Sequence, residues 1–281
     1  MKKRGLVHNS HHNCLNMEAT SNGVRIYYEE KGTGFPTVFL HAFPLDHTIW
    51  TQVLERMKRP VRAITPDLRG HGLSEAPEGV YTMEILAGDV RALLDHIGVE
   101  RAILVGHSIG GYVALAFARL YPQRLAGLAL VATQAGADTP ERRASRYAQA
   151  QEVMKKGMGP IADDLANRLT RDRDLAQRLH KIMMAMQPTG CAGALLGMAE
   201  RPDSFPMLGS IQSPTVVIAG TEDAIIPTEV ALKMAEAIPD CRLVEIAGAG
   251  HVPMLECPDQ VALALDELIA RVEAGRQHGK N

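Results

Sequence analysis

The stretch that most constrains this chain runs from residue 102 to residue 118. Residues 102–105 form an apolar run long enough for a buried strand, and Gly106-His107-Ser108-Ile109-Gly110-Gly111 follows. Residues 113–118 then read as a buried helix. A Gly-x-Ser-x-Gly pattern set between a strand and a helix is the nucleophile-elbow pattern. A serine on so tight a turn is pressed into strained backbone angles. Side chains at Gly106 or Gly110 would collide with the neighbouring strand or helix, so small residues belong there. The Ser108 hydroxyl is thereby lifted clear of the sheet. The amide of Ile109, at the start of the new helix, points at any oxyanion that forms on an attacked carbonyl.

Strands and helices alternate on either side of this turn. Residues 24–30, 37–40, 61–64, 125–131, 215–220 and 242–246 read as strands. Helices are expected at 48–58, 227–238 and 258–274, and after an N-cap at Thr82, where Met83, Leu86, Val90, Leu93, Leu94 and Ile97 fall at helical spacing and Gly98 stops the run. Such alternation predicts an α/β fold with a mostly parallel central sheet flanked by helices. From residue 135 to 210 no strand is apparent, and helices are expected at 140–156, 160–170, 172–186 and 189–200. This region reads as a helical cap inserted over the sheet edge. The expected organisation is a disordered tail over 1–21, a core over 22–134 and 211–274, and the cap over 135–210, with a frayed polar tail from 275. Met154, Met158, Met183, Met184, Met186 and Met198 in the cap read first as core packing and second as an adaptable apolar pocket wall.

Composition removes several function classes. A chain of 281 residues with 46% apolar residues builds a substantial core, and its length fits one large domain with an insertion as well as two small domains. A net charge of -2 and a pI near 6.6 leave no basic stripe for nucleic acid. No run approaches the roughly 18 apolar residues of a membrane span. Cys14, Cys191, Cys241 and Cys257 show neither a disulfide framework nor zinc spacing, which suits a reducing compartment. The basic start Met1-Lys2-Lys3-Arg4 runs into His8 to Asn13 instead of an apolar segment, so the expected location is the cytoplasm, with Met17 a second candidate start. No cofactor or metal is expected, since no H-E-x-x-H or other ligand cluster appears.

A serine hydroxyl needs a neighbouring base, and the base needs an orienting carboxylate. Strand 215–220 leads into Thr221-Glu222-Asp223, and strand 242–246 into Ala247-Gly248-Ala249-Gly250-His251. The order Ser108, Asp223, His251 is the one expected for this architecture. Asp223 is preferred over Glu222 because Pro227 and its helix follow soon after. His107 reads as structural, and so does Asp67, which begins the turn Asp67-Leu68-Arg69-Gly70-His71-Gly72. After strand 37–40, the loop His41-Ala42-Phe43-Pro44 offers the Phe43 amide as a second oxyanion donor.

Taken together, Leu40 to Pro44, Asp67 to Ser74, Gly106 to Gly111, Gly220 to Asp223 and Gly250-His251 resemble the α/β-hydrolase superfamily over roughly residues 22 to 272. Within it the chain looks similar to small carboxylesterases and to the 3-oxoadipate enol-lactonase-like group, which includes cofactor-free perhydrolases. Ala42 departs from the glycine common in that family after the histidine, which reshapes the oxyanion loop. Ser108 separates the chain from relatives with an aspartate nucleophile. The resemblance implies hydrolysis of small to medium esters, with a small-molecule ester substrate as partner and neither nucleic acid nor membrane. An enol-lactonase or a C–C bond hydrolase with the same triad, a perhydrolase side activity and, last, a non-catalytic receptor are the alternatives. An enol-lactonase would want a cation near its pocket; Arg142, Arg143 and Arg146 are candidates, although they read first as solvated surface residues.

Overall fold

The computed structural model describes residues 15–278, and its first element corrects the reading of a tail through residue 21. β1 (Leu15–Ser21) and β2 (Val24–Lys31) form an antiparallel hairpin with Ser21 opposite Val24. Asn22 and Gly23 between them take φ values of 49° and 79°. Positive φ at both central residues matches the twist of a tight hairpin, and Asn-Gly is its favoured sequence. Ala19 and Ser21 are buried while Glu18 and Thr20 are exposed, an alternation made inconspicuous by small inward residues. The histidines before residue 15 and Cys14 lie outside the described residues. Cys191, Cys241 and Cys257 are free thiols.

The chain continues through β3 (Phe35–Leu40), α1 (Thr51–Arg56), β4 (Val61–Pro66), α2 (Met83–His96), β5 (Ala102–His107), α3 (Ile109–Leu120) and β6 (Leu125–Val131). Four helices come next: α4 (Pro140–Lys156), α5 (Gly159–Leu169), α6 (Arg173–Ala185) and α7 (Pro188–Glu200). The sheet resumes with β7 (Thr215–Gly220), α8 (Thr228–Ala237) and β8 (Cys241–Ile246), followed by α9 (Pro253–Glu256) and α10 (Pro258–His278). The helix expected at 48–58 starts as a 3-10 turn, His47–Trp50, capped by Asp46 through Thr48 N at 3.0 Å. The last helix passes the expected end at 274 and reaches His278, since Arg276 and Gln277 are good helix formers.

All eight strands join one sheet in the order β1-β2-β4-β3-β5-β6-β7-β8. β2 pairs antiparallel with β1 on one side and with β4 on the other, and every pairing from β4 to β8 is parallel. Every residue of β5, β6 and β7 is buried, as a sheet covered on both faces requires. One face packs α2, α3 and α8 through Leu86, Leu93, Leu115 and Met234. The other packs α1 and α10 through Val53, Leu265, Leu268 and Ile269, with Trp50 fully buried beside them. Among the described residues, no single helix is long and apolar enough to cross a membrane.

The four inserted helices are seated on the core through α7. A Cβ on Gly193 would lie 2.7 Å from the Gly79 carbonyl oxygen, and one on Gly197 would lie 1.7 Å from that of Tyr81. The amide of Tyr81 donates to the Gly193 carbonyl at 3.0 Å, so helix and loop meet backbone to backbone. Met158, Met183 and Met186 are buried in ordinary packing, and Met154 and Met184 are exposed. Gly197→Ala is expected to lower unfolding stability by about 1–3 kcal/mol, the usual cost of overpacking. Gly275→Ala, in α10 with nothing within 4 Å of its added Cβ, is expected to be neutral or stabilising. Denaturant midpoints of the two variants check the pair.

Candidate active site

The candidate residues gather where parallel strands β3, β5, β7 and β8 end, the edge at which open α/β sheets build their sites. β5 ends at His107 and α3 starts at Ile109, so Ser108 alone makes the turn, with φ 51° and ψ -112°. Added Cβ atoms explain the flanking glycines. At Gly106 the atom would sit 2.3 Å from the Gly110 carbonyl oxygen, and at Gly110 it would sit 2.5 Å from that of Leu40. The turn is pinned by Ser108 N to Val131 O at 3.0 Å and by Thr133 Oγ1 donating to Ser108 O at 2.7 Å. The serine side is partly exposed and opens on a cavity of about 390 Å³ that His251, Phe43 and Tyr112 also line.

His251 is held on every side. Its amide donates to Leu169 O at 3.0 Å, and its carbonyl accepts from His107 Nε2 at 2.7 Å. Its Nδ1 donates to Asp223 Oδ2 at 2.8 Å, with both side chains buried. The other oxygen of Asp223 accepts from the amides of Ile225 and Ile226 at 2.8 and 3.0 Å, which fixes the carboxylate in its turn. Glu222 faces outward and pairs with Arg171, so Asp223 is the carboxylate that meets the imidazole. With Nδ1 committed to Asp223, Nε2 is the ring nitrogen left for proton transfer.

Phe43 follows β3 in the loop 41–44, and Ile109 opens α3. Among the described residues, the backbone N–H of neither has a hydrogen-bond partner. His41 braces this loop: Leu68 N donates to its Nε2 at 2.9 Å, so its Nδ1 carries the proton and donates to Ala42 O at 2.9 Å. Ala42 is buried and keeps a negative φ, so the loop accommodates a methyl group. Asp67 is the buried hub of the neighbouring turn and accepts from His47 N, His47 Nδ1 and Leu73 N, each at 2.8 Å.

On α4, Arg142, Ser145, Arg146 and Gln149 line the cavity; from the sequence Arg142 and Arg146 read first as solvated surface and second as pocket cations, and Ser145 and Gln149 were not singled out. Their spacing of three, four and seven is one helix face. The signal was a polar stripe on a helix whose other buried positions, Ala150 and Val153, are apolar. Placing Arg142 and Arg146 there replaces the surface reading for those two, whereas Arg143 is exposed with its guanidinium over the Tyr147 ring. Of the cap methionines named above, Met198 lines the cavity. Glu256 was also missed: its carboxylate accepts from Gly250 N at 2.7 Å and from Thr170 Oγ1 at 2.6 Å, tying the loop of His251 to the end of α5. No sequence spacing pointed to it.

Burial holds three histidines here below their ordinary value of 6.5: His41, His107, and His71, which reaches about 3 with the charge of His41 adding to the effect. His47 is raised; burial opposes its charge, but the hydrogen bond and charge of Asp67 outweigh it. Burial likewise opposes the charge of Asp67, yet His47 and His41 hold it below the usual carboxylate range.

A family profile described as the alpha/beta hydrolase fold matches residues 36–258. A thermophilic esterase from Thermogutta terrifontis, solved with malate bound, superposes with a TM-score of 0.88 at 39% identity, over 92% of this chain and 99% of that one. The enol-lactonase from Burkholderia xenovorans LB400 superposes with a TM-score of 0.83 at 27% identity, over 90% and 100%. The 2-hydroxymuconate semialdehyde hydrolase of Pseudomonas sp. (strain CF600) is 26% identical over 274 residues, 92% of this chain and 95% of its own length.

Two outcomes follow from this geometry. A non-glycine residue at the Ser108 angles costs about 1–3 kcal/mol, so Ser108→Gly is expected to be more stable than Ser108→Ala by about 1 kcal/mol. The second concerns acid. His41, His71 and His107 stay neutral when folded and take protons once unfolded below pH 6.5, so stability falls as pH drops through that window. His47 acts with opposite sign: its contribution is full below 6.5 and is lost as pH rises through its raised value. Between pH 6.5 and 5 the contribution of His71, held at about 3, approaches about 1.4 kcal/mol per pH unit. His71→Asn should flatten that slope by one such increment in urea titrations. A slope equal to the wild type would contradict it.

Proposed function

The chain belongs to the α/β-hydrolase family, and from that premise we propose that it is a serine hydrolase cleaving carboxylic esters of small to medium acyl chain. The observation that carries this reading is the buried His251 Nδ1 to Asp223 Oδ2 hydrogen bond of 2.8 Å, placed against the cavity that also holds Ser108.

Asp223 keeps the proton on Nδ1 of His251 and leaves Nε2 as the base. Nε2 takes the Ser108 proton as Oγ forms its bond to the ester carbonyl carbon. The oxygen becomes an anion, which the unpaired amides of Phe43 and Ile109 stabilise; each such donor contributes about 3–4 kcal/mol to the barrier in comparable sites. His251 returns the proton to the leaving alcohol as the carbon–oxygen bond breaks. Water then attacks the acyl-enzyme by the same relay, releasing the acid and restoring Ser108. His107, Leu169 O and Glu256 keep the imidazole in place.

A volume of about 390 Å³ suits a small to medium ester. The relatives support the same chemistry on other carbonyls: one is named an esterase, one an enol-lactonase and one a semialdehyde hydrolase. The open-chain ester is the first choice because the esterase shares 39% identity with this chain.

Initial rates on p-nitrophenyl esters of increasing acyl length check the proposal. The wild type should show a rate maximum at one chain length. Ser108→Ala should lose at least about a thousandfold in kcat, and Asp223→Asn a comparable amount, with folding unchanged by circular dichroism. Equal turnover by wild type and Ser108→Ala would remove Ser108 as nucleophile.

A further inference from the structure

Two of the contacts between the inserted helices and the core are built differently. At α7 the contact is backbone against backbone, and Gly193 and Gly197 leave no room for a side chain. At the turn between α5 and α6 the contact is polar, and three consecutive residues reach the loops that carry His251 and Asp223. Leu169 O accepts from His251 N at 3.0 Å. Thr170 Oγ1 donates to Glu256 Oε1 at 2.6 Å, and Glu256 Oε2 accepts from Gly250 N at 2.7 Å. Arg171 pairs with Glu222, the residue before Asp223.

These links are not equal. The Arg171 side chain is 81% exposed, so its ion pair with Glu222 contributes little. Thr170 is buried, and its hydroxyl also accepts from Asp172 N at 3.2 Å, which fixes it at the entry to α6. On the core side Gly250 is closed in: an added Cβ would lie 3.2 Å from Leu169 O and 3.3 Å from Glu256 Oε1. The amides of Gly250 and His251 are thus both satisfied by one assembly, half of which belongs to the insertion. A second cavity of about 460 Å³ is lined by Leu169, Thr170, Arg171, Gly250 and Glu256, and Leu169 also lines the cavity of Ser108. The turn is therefore part of the wall between two open spaces. Its bonds can part and be replaced by bonds to water without opening the apolar core.

We propose that this turn is a latch through which the insertion positions the base: Thr170 is a positioning residue that acts through Glu256 and Gly250 on His251, so the imidazole stands in its productive place only while the insertion is docked. This rests on the serine hydrolase reading and adds a means of regulating that site. Thr170 touches neither the imidazole nor the cavity of Ser108, and its effect is transmitted by two hydrogen bonds and one peptide unit. When the turn lifts, Gly250 N and His251 N lose their acceptors together. The imidazole then keeps its bond to Asp223 but not its place above Ser108. Movement at α7 is resisted by the backbone contact, so the latch is the end of the insertion free to open.

Steady-state kinetics on p-nitrophenyl butyrate test the latch from both of its ends. Thr170→Val removes the hydroxyl at nearly constant shape and should lower kcat about tenfold to a hundredfold. KM should stay within about twofold, because the base serves acylation and deacylation alike. Thr170→Ser should recover most of the loss. Glu256→Ala should reproduce the fall without touching Asp172, and Glu256→Gln should restore most of it, since an amide can still bridge Gly250 N and Thr170 Oγ1. The double variant Thr170→Val with Glu256→Ala should be no slower than Glu256→Ala alone, as members of one chain of contacts require. Wild-type kcat in both Thr170→Val and Glu256→Ala, a change confined to KM, or additive losses would overturn the latch and leave the hydrolase reading intact. If the wild type hydrolyses no ester, the hydrolase reading fails, and amide hydrogen exchange decides the latch separately. Protection of Gly250 and His251 lowered at least about tenfold by Thr170→Val, with the amides of β5 and β6 unchanged, upholds it. Equal protection in the two proteins overturns it.

Discussion

The site depends on one close approach: α3 enters so near to β3 and β5 that no side chain fits between them. Gly106 and Gly110 mark the contact, where added Cβ atoms would meet backbone at 2.3 and 2.5 Å. Only that proximity forces Ser108 into its left-handed angles, and only those angles raise the hydroxyl above the sheet. The same approach places the Ile109 amide beside the loop after β3, which carries the Phe43 amide; among the described residues neither amide has a hydrogen-bond partner. Strain at one residue, the proposed donor pair and the proposed nucleophile are therefore one geometric event, supported by the buried strands on either side.

The second requirement is to keep positive charge away from the turn while packing histidines tightly around it. His41, His71 and His107 meet this by being fully buried and neutral, each using ring nitrogens as hydrogen-bonding struts. His41 links Leu68 to Ala42, and His107 holds the carbonyl of His251. Among the described residues, three polar atoms in this region lack partners, His71 Nε2, Trp50 Nε1 and His107 Nδ1, and the rings of the last two stand edge to face with centroids 6.4 Å apart. One is a donor and the other, with Nε2 donating to His251, an acceptor. Their chemistry is complementary, which suits one buried water between them.

How much of this was legible follows from what each signal depends on. The elbow glycines, the strand-end positions of Asp223 and His251, and Thr82 as a cap are local consequences of backbone geometry, and local geometry writes itself into adjacent residues. Thr82 does accept from Ile85 N at 3.3 Å, as its spacing implied. The first strand escaped because Ala19 and Ser21 face inward without apolar bulk, although Asn22-Gly23 carried the hairpin signal. Glu256 escaped because its role is a contact between α9 and the end of α5, 86 residues apart in the chain for its bond to Thr170. Nothing in a sequence period encodes such a meeting.

The cap shows the same limit in a sharper form. A polar stripe on α4 looks like a solvent face in one dimension, because periodicity tells which residues share a face but not what that face meets. Here α7 seats the insertion by bringing Gly193 and Gly197 against the loop carrying Gly79 and Tyr81, and that seating turns the stripe of α4 inward over the cavity. Asp138 then makes an inward-facing Arg146 tolerable, since a buried guanidinium without a counter-ion would be strongly destabilising. The glycines thus decide, from a distance, that arginines line the pocket and not the surface. The lining of the cavity is set by how the insertion is docked as much as by which residues α4 carries.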